Sequence, residues 1–593
     1  MLRRLGQRGG RFPALGGETL TWPEAWDRML RAITDDEATN LAPQPTEAAV
    51  AEAVSHVVRL RAYASFVEAL ADGASGPRAL IACVRKLSRR KRFREALALA
   101  DAVEPIVGLT DAAHAARAVV AVRRGSFATA EEHLAAIPRD VALDLVPSEL
   151  VAVEFTVDPA VAIATCSRLL SDADAVDNGG EGADQLGPDD WIGLARATFG
   201  RGELELSERM LGRFRTSSSA PPRHLEEEAR WLERWLVRAS SDRRPAPVPA
   251  GHVSFAILDY KQPDYRQVSI NVGDYVQTLA SLGHLVRHQG VRFHGDAELV
   301  ASLTELQGRV QPARLMPGVE RDVSVLTVNR DASSLDAVPE GTWMLAFGWY
   351  MHNWFKVRYD FPFHHNLQPI FVSFHVNKRE TLSEESIAYL RESAPIGCRD
   401  WETVHHLLGL DVPAFFSGCL TTTVDMLFPA EPPRPAAGAP VAFVDLLPGK
   451  EPAIKRRSVA VRHSNPKIRD ASFVTNLELA VKMLEAYRRD FSRVVTSRLH
   501  CYLPVRALGV DVRFRPKKKK DIRFDGLIGI DDATFASMQQ GLRDKLAVVV
   551  SSILAGDEEK VVRAAWHEAC SADVEAARRR HLALSHDDAG MPV

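Results

Sequence analysis

An all-α helical-repeat domain followed by two doubly wound α/β lobes is the fold class this chain predicts, and three observations lead to it. From Pro45 to about Arg238 apolar residues recur at helical spacing, with few β-branched runs. The stretch ASSDRRPAPVPAG, residues 239–251, then breaks the composition and reads as an extended linker. Beyond it, apolar strands alternate with helix-length amphipathic segments, the pattern of parallel sheets covered by helices.

A length of 593 residues calls for about three or four units. Charged residues at 25%, apolar residues at 46% and a formal charge of -3 describe a globular protein with no electrostatic sign of nucleic-acid binding. Six cysteines, Cys83, Cys166, Cys398, Cys419, Cys501 and Cys570, are scattered without C-x-x-C pairing. That argues against a zinc site or a disulfide framework and suits a reducing cytoplasm. The basic start MLRRLGQRGGRFPALGG lacks the apolar core of a signal peptide, and LAVVVSSILAG near residue 550 is too short to span a membrane. The expected localisation is cytoplasmic.

Residues 1–44 are expected to be an N-terminal segment, partly disordered, ahead of the helical domain over 45–238. There, RFREALALADAVEP, SFATAEEHLAAIP and AVAIATCSRLL place Phe93, Phe127 and Val161 at an interval of 34 residues, with Ala96, Ala130 and Ala164 in step. This is the period of a tetratricopeptide-like helix-turn-helix repeat, in which small residues let two helices approach. A fourth copy, GELELSERMLGRFR, puts Leu204 and Ser207 at the matching places after the acidic insertion DADAVDNGGEGADQLG, read as a mobile loop. An irregular helical bundle is the alternative. A repeat array offers a concave surface to a protein partner or carrier, or serves as a rigid spacer.

The first α/β lobe, 252–433, opens with the strand VSFAILDY. Asn271, Gly273 and Asp274 then precede a helix from about Tyr275, with Gly273 allowing close backbone approach and Asp274 at the capping place. DVSVLTVNR, TWMLAFG and QPIFVSFHV come next as strands, then the helix LSEESIAYLRE, the strand-like APIGCRD, the helix ETVHHLLGL and VPAFFSG. The second lobe, 434–560, runs from PVAFVDLL through SVAVRHS and ends with DGLIGI. Residues 561–593 form a C-terminal helix and tail, the last helices packing across.

The stretch VVTSRLHCYLPVRALGVDVRF, residues 494–514, is read as a strand, a turn carrying Ser497, Arg498 and His500, a helix from near Cys501, and a second strand. Thr496 and Ser497 favour turns and helix caps, Pro504 suits a first turn, and Gly509 closes the helix. Ligands of open α/β sheets bind beyond the carboxyl ends of strands, where helix N-termini attract anions. Arg498 adds a fork for carboxylate or phosphate and His500 a proton carrier. The plainer reading makes Arg498 an ion-pair partner and His500 a hydrogen-bonded core residue.

Elsewhere, the aromatic segment WYMHNWFKVRYDFPFHH, 349–365, suits sugar stacking, with His352 and Asn353 bonding hydroxyls, or core packing. Ser417, Gly418 and Cys419 form a tight turn at a strand end, Cys419 more simply a small hydrophobe than a nucleophile. His352, His364, His365 and His375 show no metal-ligand spacing, so no metal is expected. Asp445 and His463 end strands and either reach the cleft or cap the next segment of chain. Lys517 to Lys520 form a solvated loop or help steer anions.

Seven motifs stand in order across about 253–530: NVGD at 271–274, GWYMHN at 348–353, FPF at 361–363, PIFVSFHV at 369–376, PIGCRDWET at 395–403, FFSGCLTTT at 415–423 and TSRLHCYLPVRALG at 496–509. In these the chain resembles the polysaccharide pyruvyl transferase family. The resemblance implies two Rossmann-like lobes arranged like GT-B glycosyltransferases. It also implies transfer of the enolpyruvyl part of phosphoenolpyruvate to a glycan, forming a pyruvate ketal and releasing phosphate without a cofactor. That donor carries about three negative charges, for which Arg498, Arg399 and helix N-termini are the expected partners. His500 is the expected general acid/base. Asn271, Gly273, Asp274, His352, Asn353, Ser417, Gly418, Ser497 and Leu499 are the expected substrate contacts. The expected partners are phosphoenolpyruvate, a saccharide acceptor and a protein on the helical repeats. A nucleotide-sugar glycosyltransferase and a non-catalytic scaffold are the alternatives.

Overall fold

The computed structural model describes residues 11–13, 19–21 and 76–589, apart from 91, 105–108, 178–185, 217–220, 241–243, 267, 319, 351–360, 378–380, 434, 448–457 and 519–520. Near the start, β1 (Arg11–Pro13) and β2 (Thr19–Thr21) pair antiparallel. The chain forms two compact units that divide at Ala229 and Arg230.

The first unit is helical: α1 (Gly76–Arg89), α2 (Phe93–Val103), α3 (Thr110–Arg124), α4 (Phe127–Ala135), α5 (Arg139–Leu145), α6 (Pro147–Val157), α7 (Pro159–Asp177), α8 (Pro188–Arg201), α9 (Leu204–Thr216) and the start of α10 (Arg223–Ser240). Ala-rich α3 packs against α1, α2 and α4. It stops at Gly125, whose left-handed φ of 75° lets its N–H bond the last carbonyls. Ala96 on α2 and Ala130 on α4 are both 0% exposed, as the repeat spacing predicts. In the third copy the spacing fails. Val161 and Ala164 are exposed and Ala162 is buried instead. The reason lies at the start of α7, where Pro159 takes the first turn and the Asp158 carboxylate accepts from Ala160 N at 2.9 Å, rotating the helix by two residues. Ser207 of the fourth copy is buried as expected. The insertion after Leu170 is helical as far as Asp177, because α7 continues into it; 178–185 lie outside the described residues. Arg85 of α1 forms buried ion pairs with Glu149 at 2.6 Å and Asp190 at 2.8 Å, tying α1 to α6 and α8.

The second unit holds two parallel sheets. The larger has β3 (Val253–Asp259), β4 (Val291–Gly295), β5 (Arg321–Asn329), β6 (Thr342–Tyr350), β7 (Leu367–Val376), β8 (Ile396–Cys398) and β9 (Ala414–Phe416), in the spatial order β4-β5-β3-β6-β7-β8-β9. The smaller has β10 (Val441–Val444), β11 (Ser458–Val461), β12 (Arg493–Thr496) and β13 (Val512–Phe514), in the order β11-β10-β12-β13. Every pairing in both is parallel. Helices α11 (Val272–Val286), α12 (Ala297–Arg309), α13 (Glu384–Glu392), α14 (Trp401–Leu408), α15 (Phe473–Arg489) and α16 (Leu499–Ala507) connect the strands. Strands β3, β6 and β7 are buried along nearly their whole length, which is why they read as continuous apolar runs. The chain order reverses between β3 and β6 in one sheet and between β10 and β12 in the other. Such switch points open a crevice at the strands' carboxyl ends.

Three boundaries differ from the sequence reading. The second unit begins inside α10, not at the proline-rich stretch, because Trp231 donates to the Gln262 carbonyl at 2.7 Å and Arg238 pairs with Asp336. DGLIGI forms no strand: Gly526 and Gly529 take φ of 81° and 80°, turning the chain twice. Helices α17 (Asp532–Ala555) and α18 (Glu559–Ala589) belong with the larger sheet. Arg543 of α17 grips Asp425 through two 2.7 Å bonds, and Trp566 of α18 donates to the Pro395 carbonyl at 2.9 Å. Among the described residues no helix is long and apolar enough to cross a membrane.

Candidate functional site

The carboxyl ends of both sheets meet around one cavity of about 250 Å³. The meeting is built by backbone. Asn271 and Ser464 form an antiparallel bridge, in which Val272 N donates to His463 O at 3.0 Å and Asn465 N to Ile270 O at 2.7 Å. Asn271 caps α11, accepting from Gly273 N at 3.2 Å. The cap thus falls to Asn271 rather than Asp274, whose carboxylate lines the cavity and accepts from Ser269 and, at 3.4 Å, from Gln277. A Cβ at Gly273 would sit 3.0 Å from the His500 Cβ. Glycine is therefore what lets the first turns of α11 and α16 approach.

The strand-turn-helix around Arg498 forms as expected, with one shift in its capping. Thr496, not Ser497, stabilises the turn, its Oγ1 accepting from Arg498 N at 3.0 Å. Helix α16 starts at Leu499 but His500 departs from helical geometry, with ψ of 19°. The kink leaves the His500 ring on the cavity wall beside Leu499 and Arg498. Arg498 is oriented by Asp445, which accepts from Nε at 2.6 Å, and by Ser464, which accepts from Nη2 at 2.9 Å. Asp445 thus serves the cavity through Arg498. His463 does not: it is 1% exposed, bonds Tyr487 Oη at 2.8 Å, and burial lowers its pKa to about 4.

From the larger sheet come Arg330 after β5, Trp349 in β6 and Arg399 after β8; Arg523 enters from the loop after β13. Arg330 pairs with Asp331 at 2.7 Å and Arg523 with Asp521 at 2.5 Å while lying over the Trp349 ring. Arg399 is different. It is 2% exposed, its Nη1 donates to His500 Nε2 at 3.4 Å, its Nε has no hydrogen-bond partner, and no carboxylate pairs with it among the described residues. The adjacent Asp400 is spent elsewhere, accepting from Thr403 N at 2.9 Å and bonding His375 Nδ1 at 2.7 Å. A buried guanidinium without a counter-charge is costly unless an anion completes it.

Since Arg399 can only donate, His500 Nε2 accepts, which places the ring proton on Nδ1. Burial, then Arg399 and Arg523, hold the His500 pKa well below 6.5, so the imidazole of the empty cavity is neutral. A neutral ring can accept a proton, the base half of the expected role, and becomes an acid only once it has done so. Asp274 is shifted the other way: burial raises its pKa against the pull of Arg330. One proton acceptor and one carboxyl biased toward holding a proton therefore share the cavity.

Of the expected site residues, Asn271, Asp274, Arg399, Arg498, Leu499 and His500 line the cavity, and Gly273 abuts it. Ser497 does not line it. Ser417 and Gly418 are structural: Ser417 Oγ accepts from Ser373 N at 3.0 Å and donates to Cys398 O at 3.1 Å. Gly418 has φ of 76° and faces Met538. Ser417 turns inward to satisfy backbone groups of β7 and β8, and the Gly418 carbonyl accepts from Ser373 Oγ at 2.8 Å. Cys419 is buried, and burial raises its pKa, as suits an inert thiol. His352 and Asn353, with Lys519 and Lys520, lie outside the described residues. Sequence reasoning missed Ser269, Gln277, Arg330 and Arg523. Arg330 was legible as an arginine just past a strand; Arg523 carried no comparable signal. The group of metal-ligating side chains found among the described residues, His252, His294 and Asp322, is not among those lining the cavity. No protein-family model matches the chain, and no curated protein matches it in sequence.

Proposed function

We propose that the cavity binds a small polyanion and that the protein is a phosphoenolpyruvate-dependent pyruvyl transferase acting on a saccharide. The observation that carries this reading is Arg399, buried and without a carboxylate partner, on the wall of a cavity that also presents Arg330, Arg498 and Arg523. The order of the seven motifs supports the same reading, together with a GT-B-like pairing of the two sheets and a tetratricopeptide-like first unit. Phosphoenolpyruvate offers a carboxylate and a phosphate to arginine forks and to the first turns of α11 and α16. Neutral His500 takes the proton of an attacking sugar hydroxyl, the oxygen bonds C2 of the enol, and the Asp274 carboxyl gives its proton to the methylene carbon. The second hydroxyl then bonds C2 and gives its proton to the Asp274 carboxylate, while the C2–O bond to phosphate breaks and the leaving phosphate oxygen takes the proton held by His500, which leaves a ketal and inorganic phosphate. A volume of about 250 Å³ accommodates such a donor.

The test is phosphate release from phosphoenolpyruvate across a panel of hexosides, run with the parent, R399A and H500A. Phosphate release by the parent with at least one hexoside, lost in both variants, is the expected result. Stabilisation against heat by nucleotide sugars but not by phosphoenolpyruvate would overturn the assignment.

A further inference from the structure

Away from the cavity, three neighbouring strands of the larger sheet bring together two imidazoles and a carboxylate. His252 immediately precedes β3, His294 lies on β4, and Asp322 lies on β5, with β5 between the other two strands. Their ligand atoms all fall within 4.8 Å of one another, and the two imidazole rings are 4.7 Å apart between centroids. Four-coordinate zinc with nitrogen and oxygen ligands needs about 3.3 Å between ligand atoms, given bonds of about 2.0–2.1 Å.

We propose that His252, His294 and Asp322 form a divalent metal site of the zinc class, with water as the fourth ligand. Two of the three ligands are already oriented by a neighbour, as ligands of metal centres are. His252 Nδ1 bonds Ser324 Oγ at 3.0 Å, which leaves Nε2 as its ligand atom. Asp322 is held by Arg292, whose Nε and Nη2 donate to its two oxygens at 2.9 Å each. Glu320, 3.4 Å from Arg292 Nη1, offsets the guanidinium charge. His294 Nε2 is 2.7 Å from Asp322 Oδ1, a contact that the metal replaces with two bonds. The backbone before His252 is fixed as well, since Arg321 donates to Gly251 O at 3.1 Å and to Leu554 O at 2.8 Å. Because β4 is the edge strand, a metal here ties the sheet's outermost strand to β5 and β3. The role is structural.

The test uses the full chain, stripped with chelator and dialysed, with zinc and cobalt as probes. One equivalent of zinc retained after desalting is expected, with a saturable visible absorption of four-coordinate cobalt and a melting temperature that rises with zinc. H252A and H294A should each lose all three signals. S324A should keep the stoichiometry and bind about 10–100-fold more weakly. Circular dichroism checks the fold of each variant, and H294N carries the same expectation if an alanine variant unfolds. A parent that retains no zinc overturns the site, as do histidine variants that retain as much as the parent.

Discussion

Replacing Arg399 by methionine separates two things this residue does. In the empty protein its guanidinium is 2% exposed and its hydrogen bond runs to a neutral imidazole at 3.4 Å, with Nε unsatisfied. An ion in that position carries a desolvation penalty of several kcal/mol, and apolar replacements of similar volume are often neutral or stabilising by about 1–4 kcal/mol. R399M should therefore melt at the same temperature as the parent or a few degrees higher. Anion binding should move the other way. Loss of a buried charged contact costs about 2–5 kcal/mol, so affinity for phosphoenolpyruvate should fall at least about thirtyfold. Thermal melts with and without phosphoenolpyruvate read both effects, since a ligand raises stability by RT ln(1 + [L]/Kd). A variant that is several kcal/mol less stable when empty, yet still gains the parent's increment from the anion, would refute the reasoning and make Arg399 a packing residue.

G273A should leave stability within about 1 kcal/mol, because the helix gains what alanine contributes over glycine while the new methyl meets His500. The same variant should weaken anion binding by up to about 100-fold as α16 is displaced, measured by calorimetric titration. G418A is its counterpart: with φ of 76° and a Cβ 2.4 Å from Met538 Sδ, it should cost roughly 2 kcal/mol or more in urea unfolding and leave anion affinity unchanged. Acid should destabilise the second unit early. His288, His375 and His463 are buried with pKa values near 4, so between pH 6.5 and 4 the unfolded chain binds more protons. Stability is then full above pH 6.5, falls as pH drops and levels below 4, by up to about 2 kcal/mol per histidine at pH 5. Urea midpoints at pH 7 and 5 check this, and H288N should flatten the slope.

How much could be read in advance depends on how local each signal is. A helix start at 271–274, Gly273 as a close approach and Arg498 with His500 at a strand end are each written in a few adjacent residues, although the cap itself is Asn271 and not the Asp274 expected. Strand β7 was legible because burial on both faces makes its sequence continuously apolar. The third helical repeat misled because one cap, Asp158 before Pro159, outweighs the 34-residue spacing. Ser417 looked like a cleft residue because it ends a strand, but side-chain direction there is settled by the unpaired backbone of β7. Arg523 stands in a single 3-10 turn, Ile522–Phe524, whose position depends on Asp521 and on the Trp349 ring. The group of His252, His294 and Asp322 spans 70 positions from first to last, so no short spacing announces it. The expectation of no metal rested on such spacings.

The charges around the cavity also account for why proton transfer would wait for the donor. Three of its arginines have a carboxylate beside them: Asp331 with Arg330, Asp445 with Arg498 and Asp521 with Arg523. Arg399 has none among the described residues. This arrangement holds the guanidinium groups in place before any ligand enters, so their reorganisation does not add to the barrier. It also sets a positive field at His500, which adds to burial, the larger cause, in keeping the ring neutral. A donor with about three negative charges reverses that field. On the proposed reading its phosphate, placed against Arg399, lessens the repulsion at His500, which makes the neutral ring a stronger base, and helps the Asp274 carboxyl keep its proton. Under the proposed mechanism the donor therefore strengthens both the base that takes the hydroxyl proton and the acid that supplies the methylene carbon.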